Sequence, residues 1–447
     1  MKNPMTSTFV TPLSLTLPFI LLAFATSQAH AVDYALAGFG TIGYARSDQS
    51  FGYQRFINDN GTFKRDSIFG AQLDAKISPQ WGATVQAQIV PAENSDSGWQ
   101  SKFSWAFVSW RPDNDLLFRF GKLRVPLYLS SENLDVGATY DFVRQPTEMY
   151  SVSPTNDFTG ASFSKNFSLE DGSDLTIDGF WGKSNLNWRF FMRDGVPGFI
   201  PGSPPLQAAG PKFVAVKTEA MGSALTYRKG ENILRAGVNQ TYTEQADGTP
   251  FPVTFPSFTL APGINLYKVD SQLPFGPTLE SKQRVAAPVY TLGMDLNLGH
   301  NYRLISEYAR RVVTDIKIGP DTQGAYVSLL KSMGAWTPYV TMARLLSKPE
   351  PRQLYNGLNN TKLPATAPLS TMLNASQRAA ADGVVAYDQS SLTIGTSYAL
   401  SPTSKLKGEL MRVHIGAMSS LIDQPAGSNG ISRQDFTVLS LSYNFVF

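Results

Sequence analysis

The sequence has 447 residues, with 38 Lys and Arg against 35 Asp and Glu and a mean hydropathy of -0.15. A formal charge of only +3 is no nucleic-acid footprint. The absence of cysteine excludes disulfides, thiolate metal sites and cysteine nucleophiles.

In chain order, Lys2 precedes an apolar run from Leu13 to Ala25, and Ala29-His30-Ala31 has the small-x-small pattern that a signal peptidase cuts. The run is too short to span a bilayer. Residues 1–31 are therefore read as a cleaved signal peptide. Their removal leaves 416 of the 447 residues, starting at Val32, and loss of Lys2 lowers the formal charge to +2. No later apolar stretch is long enough for a transmembrane helix, so a membrane-embedded chain would cross as strands. The hydropathy permits this, because half of each strand of a membrane barrel faces water.

From residue 35 onwards the chain alternates apolar and polar side chains, the period of a β-strand. Seven tight connections join such runs: Ser78–Trp81, Pro112–Asp115, Glu170–Ser173, Lys229–Asn232, Gly299–Asn301, Met333–Ala335 and Ser401–Ser404. Seven hairpins and one unpaired strand at each end make sixteen strands. Both termini then lie on the side of the tight turns, and the eight longer connections lie on the other. Those connections are residues 47–66, 91–101, 124–157, 183–212, 244–287, 314–323, 348–387 and 416–434, read as irregular loops. Two assignments are weak: Phe213 to Arg228 fits one long strand with a kink near Gly222, and Asp157 to Phe167 alternates poorly, so the count carries a margin of two. The expected fold is an all-β, transmembrane antiparallel β-barrel of about sixteen strands in a single domain.

Along this chain, Gly38-Phe-Gly40-Thr-Ile-Gly43 matches a dinucleotide-binding string, but it follows no strand and opens no helix, so it is read as a first strand with small residues at a close contact. Aromatics recur where strands meet turns, at Trp81, Tyr302, Trp336, Tyr339, Tyr398 and Tyr443, as in an interfacial girdle. The histidines after the signal, His300 and His414, have no catalytic or metal motif around them, so no cofactor, metal or catalytic residue is expected.

Strand parity assigns charges to the two faces. With Phe118 and Phe120 outward, Arg119 faces the lumen; the same argument turns Arg235, Arg303, Glu307 and Arg311 inward. A charge on the lipid face would cost up to about 2–4 kcal/mol near the midplane, which favours the inward assignment. The connection 124–157 is acidic, with Glu132, Asp135, Asp141, Glu148 and Asp157 against Arg124 and Arg144. The chain ends on Leu439, Leu441, Tyr443, Phe445 and Phe447, all on one face, with Ser440, Ser442 and Asn444 between them.

This last strand resembles the terminal strand of Gram-negative outer-membrane barrels, and the architecture as a whole resembles the sixteen-stranded general porins. The run Gly121-Lys-Leu-Arg124 is similar to the start of their inward-folded third loop. Arg144-Gln-Pro-Thr-Glu-Met-Tyr150 is similar to a run in porin-like proteins of unassigned solute. The resemblance implies residence in the outer membrane, a homotrimer, contact with membrane lipid, and recognition of the last strand by the assembly machinery. It also implies a constriction in which Glu132, Asp135, Asp141 and Glu148 oppose Arg119, Arg235, Arg303 and Arg311 across water, although loops 244–287 and 348–387 are long enough to occlude the lumen instead. The expected function is passive diffusion of small hydrophilic solutes or ions, with no enzymatic activity. The alternatives are a substrate-specific channel for small anions or acids, and a plugged barrel acting as enzyme or adhesin.

Overall fold

The computed structural model describes residues 32–198, 204–271, 273–367 and 369–447, so the expected signal peptide lies outside the described residues. Among these residues, sixteen antiparallel strands close into one barrel. They are β1 (Asp33–Ser47), β2 (Ile68–Lys76), β3 (Trp81–Pro91), β4 (Trp99–Trp110), β5 (Leu116–Arg124), β6 (Asp157–Ser168), β7 (Asp174–Met192), β8 (Gly210–Lys229), β9 (Asn232–Gln245), β10 (Val285–Gly299), β11 (Tyr302–Arg311), β12 (Thr322–Lys331), β13 (Trp336–Ser347), β14 (Tyr387–Ser401), β15 (Ser404–Ser419) and β16 (Gln434–Val446). Each strand pairs with its sequence neighbours, and β1 pairs with β16 from Phe39 opposite Val446 to Ser47 opposite Val438. Closure leaves no sheet edge, the condition for a sheet to sit in lipid. All seven expected turns join adjacent strands, and the two weak assignments are strands β6 and β8.

The alternation in β16 becomes two faces. Leu439, Leu441 and Tyr443 are exposed on the outside, whereas Ser440, Ser442 and Asn444 are buried on the inside. The same holds for Leu392 and Ile394 in β14 and for Leu406 and Leu410 in β15. An exterior this apolar needs hydrocarbon around it. Gly38 and Gly40 of β1 supply a flat outer surface on which the rings of Phe447 and Phe445 lie, so that a Cβ at either glycine would run into a ring. The seam is locked by reciprocal backbone bonds between Gly38 and Phe447, 2.8 and 2.9 Å long. At the turn end, Trp81 stacks on Trp110 and Trp336 packs on Tyr398, with ring centroids 5.9 and 4.6 Å apart. Tyr339 corrects the girdle assignment: its neighbours Val340 and Met342 point outward, so it points inward and is buried.

The long connections are more ordered than expected. Residues 348–387 fold into two helices; counting the short α1 (Thr147–Tyr150), these are α2 (Pro349–Asn360) and α3 (Ser370–Gly383). Pro349 sits in the first turn of α2, where its missing N–H costs nothing. Residues 257–267 form a small hairpin against this pair, with Gln377 of α3 bonding both the N–H and the carbonyl of Tyr267. These two connections build a cap at the loop end of the barrel, while the connection between β5 and β6 turns inside.

Candidate functional site

The inward loop begins where Gly121 takes a φ of +135°, a conformation that favours glycine, and where a Cβ would strike the carbonyl of Ala106. Its entry leg is stitched across three adjacent strands. Arg235 of β9 donates to the Pro126 carbonyl at 2.8 Å, and Thr291 of β10 donates to the Leu127 carbonyl at 3.2 Å. Glu307 of β11 accepts from the Leu129 N–H and the Tyr150 hydroxyl at 2.8 Å each, and from the Tyr326 hydroxyl of β12 at 2.9 Å.

The middle of the loop lies against the opposite wall. Lys407 of β15 donates to the carbonyls of Gly137 and Phe142 at 2.6 and 2.7 Å. Gly137 rests on Asn444 and Thr41 so closely that a Cβ would collide with both. Arg144 grips Asp66 with two bonds of 2.9 and 2.7 Å, donates to Ser440 at 2.7 Å and lies 3.4 Å from Glu409. Burial works against the charge on Asp66, but Arg144 and Arg65 outweigh it and hold the carboxyl below its ordinary range. Asp141 is bound by Lys405 at 2.9 Å and Ser397 at 2.7 Å; burial again opposes ionisation, and these partners again hold the group below its ordinary range.

The loop has an apolar side and a polar side. Leu127, Tyr128, Phe142, Met149 and Val152 form one buried apolar cluster with Val289, Ile305, Tyr326 and Leu345 on β10 to β13. The wall of β2 and β3 is polar instead, a hydrogen-bonded ladder of Asp74, Gln72 and the buried Gln86 and Gln88 that ends on Asp135 of the loop at 2.6 Å. Packing thus pulls the loop toward one wall and leaves polar groups on the other.

Of the expected oppositions between loop acids and wall arginines, the structure brings one together, Arg119 with Glu132, and gives the other residues different partners. Arg119 lies 3.1 Å from Glu132, and this pair keeps 33% and 59% of its side-chain surface exposed. Asp135 pairs with Arg124, and Arg303 pairs with Asp295. Arg235 holds the loop and also lies 3.3 Å from Asp178. Two assignments need correction. Arg311 is buried, donating at 2.9 Å to the Pro320 carbonyl beyond the barrel rim, and does not line open lumen. Glu148 is 1% exposed and accepts from Gln389 at 2.9 Å, so it is an anchor inside the loop's packing. Lys405, Lys407 and Glu409 were missed, yet they alternate with outward Leu406 and Leu410, and the parity rule that found Arg235 finds them too. Asp66 carries no sequence signal. Among the described residues no group of three His, Asp or Glu is placed to hold a metal.

No family model matches the chain, and no curated protein matches it in sequence. Solved structures do match in shape. OmpT, an outer membrane protein of Vibrio cholerae, superposes with a TM-score of 0.50 at 10% identity, covering 94% of this chain and 99% of its own. Its loop L8 deletion mutant gives 0.50 at 11% identity, covering 94% and 100%. The chain has the outer-membrane β-barrel fold. A further structure with this barrel fold is the anion-selective porin from Comamonas acidovorans, at a TM-score of 0.48 and 13% identity over 93% of this chain and 100% of that one. At such identities the barrel is shared and the side chains inside it are this chain's own.

Proposed function

We propose that this outer-membrane barrel is a passive channel for small hydrophilic solutes or ions, and that residues 125–156 set its narrow point. The observation that carries this reading is the two-sided loop. It is bound by hydrogen bonds to walls on both sides of the lumen, with its apolar face packed on β10 to β13 and a polar ladder on β2 and β3 meeting its other face at Asp135. A water-accessible ion pair at the loop, Arg119 with Glu132, gives a solute polar groups to exchange for its hydration.

A general channel is favoured over an anion-specific one by the pairing. Arg119, Arg235 and Arg303 each carry a carboxylate partner, so none is a free cationic ligand for an anion. Assembly as a homotrimer in the outer membrane is part of this proposal, and cross-linking in detergent that stops at three chains would support it. Swelling of liposomes in neutral sugars of graded size tests the function. Entry that falls with sugar size supports a diffusion channel; entry of one solute class alone supports the specific channel. Vesicles that stay osmotically tight to every solute would point to a plugged barrel serving as enzyme or adhesin.

A further inference from the structure

A second group of charges meets at the loop end, made by side chains outside residues 125–156. Arg189 near the end of β7 bonds Asp96, between β3 and β4, at 2.8 to 3.1 Å, and Asp423, between β15 and β16, at 2.7 and 2.8 Å. The β15–β16 connection stands about half-way round the sixteen-stranded ring from β7, so this arginine joins opposite sides of the mouth. Strands β7 and β8 make that possible, because their 19 and 20 residues overrun most of their neighbours.

The β1–β2 connection joins the same point. Gly52 and Tyr53 pair as a short ladder with Asp423 and Ile422. Arg55 pairs with Asp96, donates to the carbonyls of Ala92 and Ser95 at 2.6 and 2.8 Å, and stands 5.6 Å from the Phe213 ring of β8. Lys64 donates to the Asp96 carbonyl at 2.8 Å. Three bases, Arg55, Lys64 and Arg189, thus face two carboxylates, Asp96 and Asp423. Arg189 and Asp96 keep 16% and 26% of their side-chain surface exposed, so the group is neither dry core nor free surface.

We propose that these five residues form a second filter at the extracellular mouth, one that sorts solutes by charge before they reach the inner loop, with the excess base favouring anions. This inference rests on the channel reading. Because the bridge both closes and charges the mouth, simple loosening and true filtering make different predictions. Breaking it from either side loosens the same loops and should change conductance in the same direction. A filter should change selectivity in opposite directions.

The experiment is reversal potential under a KCl gradient at about 0.1 M salt, where charges still act over about 10 Å. Arg189→Gln should shift preference toward K+, and Asp96→Asn with Asp423→Asn should shift it toward Cl−. Lys64 meets a backbone carbonyl and the Phe56 ring but makes no ion pair, so Lys64→Gln guards against misfolding; it should repeat the K+ shift. Each lost charge, acting in opposite senses on K+ and Cl− from about 6 Å at the dielectric of water and screened over about 10 Å, should change the permeability ratio about three- to fourfold. Assembled variants that match the parent, or that all shift in one direction, would overturn the filter. If Arg119→Glu changes selectivity while these do not, the mouth filter fails and the channel stands. Absence of current from the parent and every variant removes both.

Discussion

The loop is held to the wall by Glu307, a carboxylate that pairs with no base among the described residues and accepts three hydrogen bonds, two of them from the loop. Glu307→Gln keeps one oxygen, so the donors that met the other, either the Leu129 N–H or the two tyrosine hydroxyls, face an amide N–H2. Losing one hydrogen bond to a charged group costs about 1.5–3 kcal/mol. That raises the detached fraction of the entry leg roughly 10- to 150-fold relative to the attached one. Glu307→Leu strands all three donors and should go further. Hydrogen exchange should show residues 125–130 losing protection in the order parent, Gln, Leu, and single-channel records should show rising open-channel noise in the same order. Assembled variants with parental exchange and parental noise would refute the idea that this clamp fixes the loop.

Other expectations follow from the same contacts. Arg119→Glu places a second carboxylate beside Glu132, and reversal potentials should shift toward cations at low salt and return toward the parent at about 1 M, where screening reaches about 3 Å. Asp66 and Asp141 are both held below their ordinary range, so the stability they contribute is present above the unfolded value of about 3.9 and is lost as pH falls through their lower folded values. Protection factors in residues 137–144, corrected for the intrinsic pH dependence of exchange, should therefore be flat from pH 7 to about 4 and fall below it; a fall already at pH 5 to 6 would contradict the assignment. Gly38→Leu puts a side chain where the Phe447 ring lies, and the barrel should lose resistance to heat on a gel, whereas Gly383→Ala, at the open end of α3 and without a positive φ, should cost far less.

The fold was legible because its physics is local. Each strand writes its two faces as an alternation, and the turns are marked by Pro, Gly and Asn, so the seven hairpins and the closing strand could be read one at a time. Strand parity turned Arg119, Arg235, Arg303, Glu307 and Arg311 inward for the same reason. What parity cannot give is depth, or what else fills the lumen. Arg311 and Glu148 are inward, yet one is sealed at the rim and the other under the loop. The partners of Arg144 show the limit most clearly: Asp66 is 78 residues away and Ser440 is 296 away, on connections and strands that meet only once the barrel has closed. The helices in residues 348–387 were hidden because no strand-like alternation frames them, although Pro349 at a first turn was a helix-start signal.

The claim that residues 125–156 border an open aqueous path can be tested on one channel, because the chain has no cysteine of its own. Glu132→Cys puts a thiol at the most exposed acid of the loop, and a charged thiosulfonate reagent is then added during a planar-bilayer recording. The account predicts steady current before modification and a stepwise fall as each thiol reacts, with no fall when Leu441→Cys on the outer face is treated. A well-assembled barrel that passes no current, or a modified Glu132→Cys channel whose current is unchanged, would contradict it.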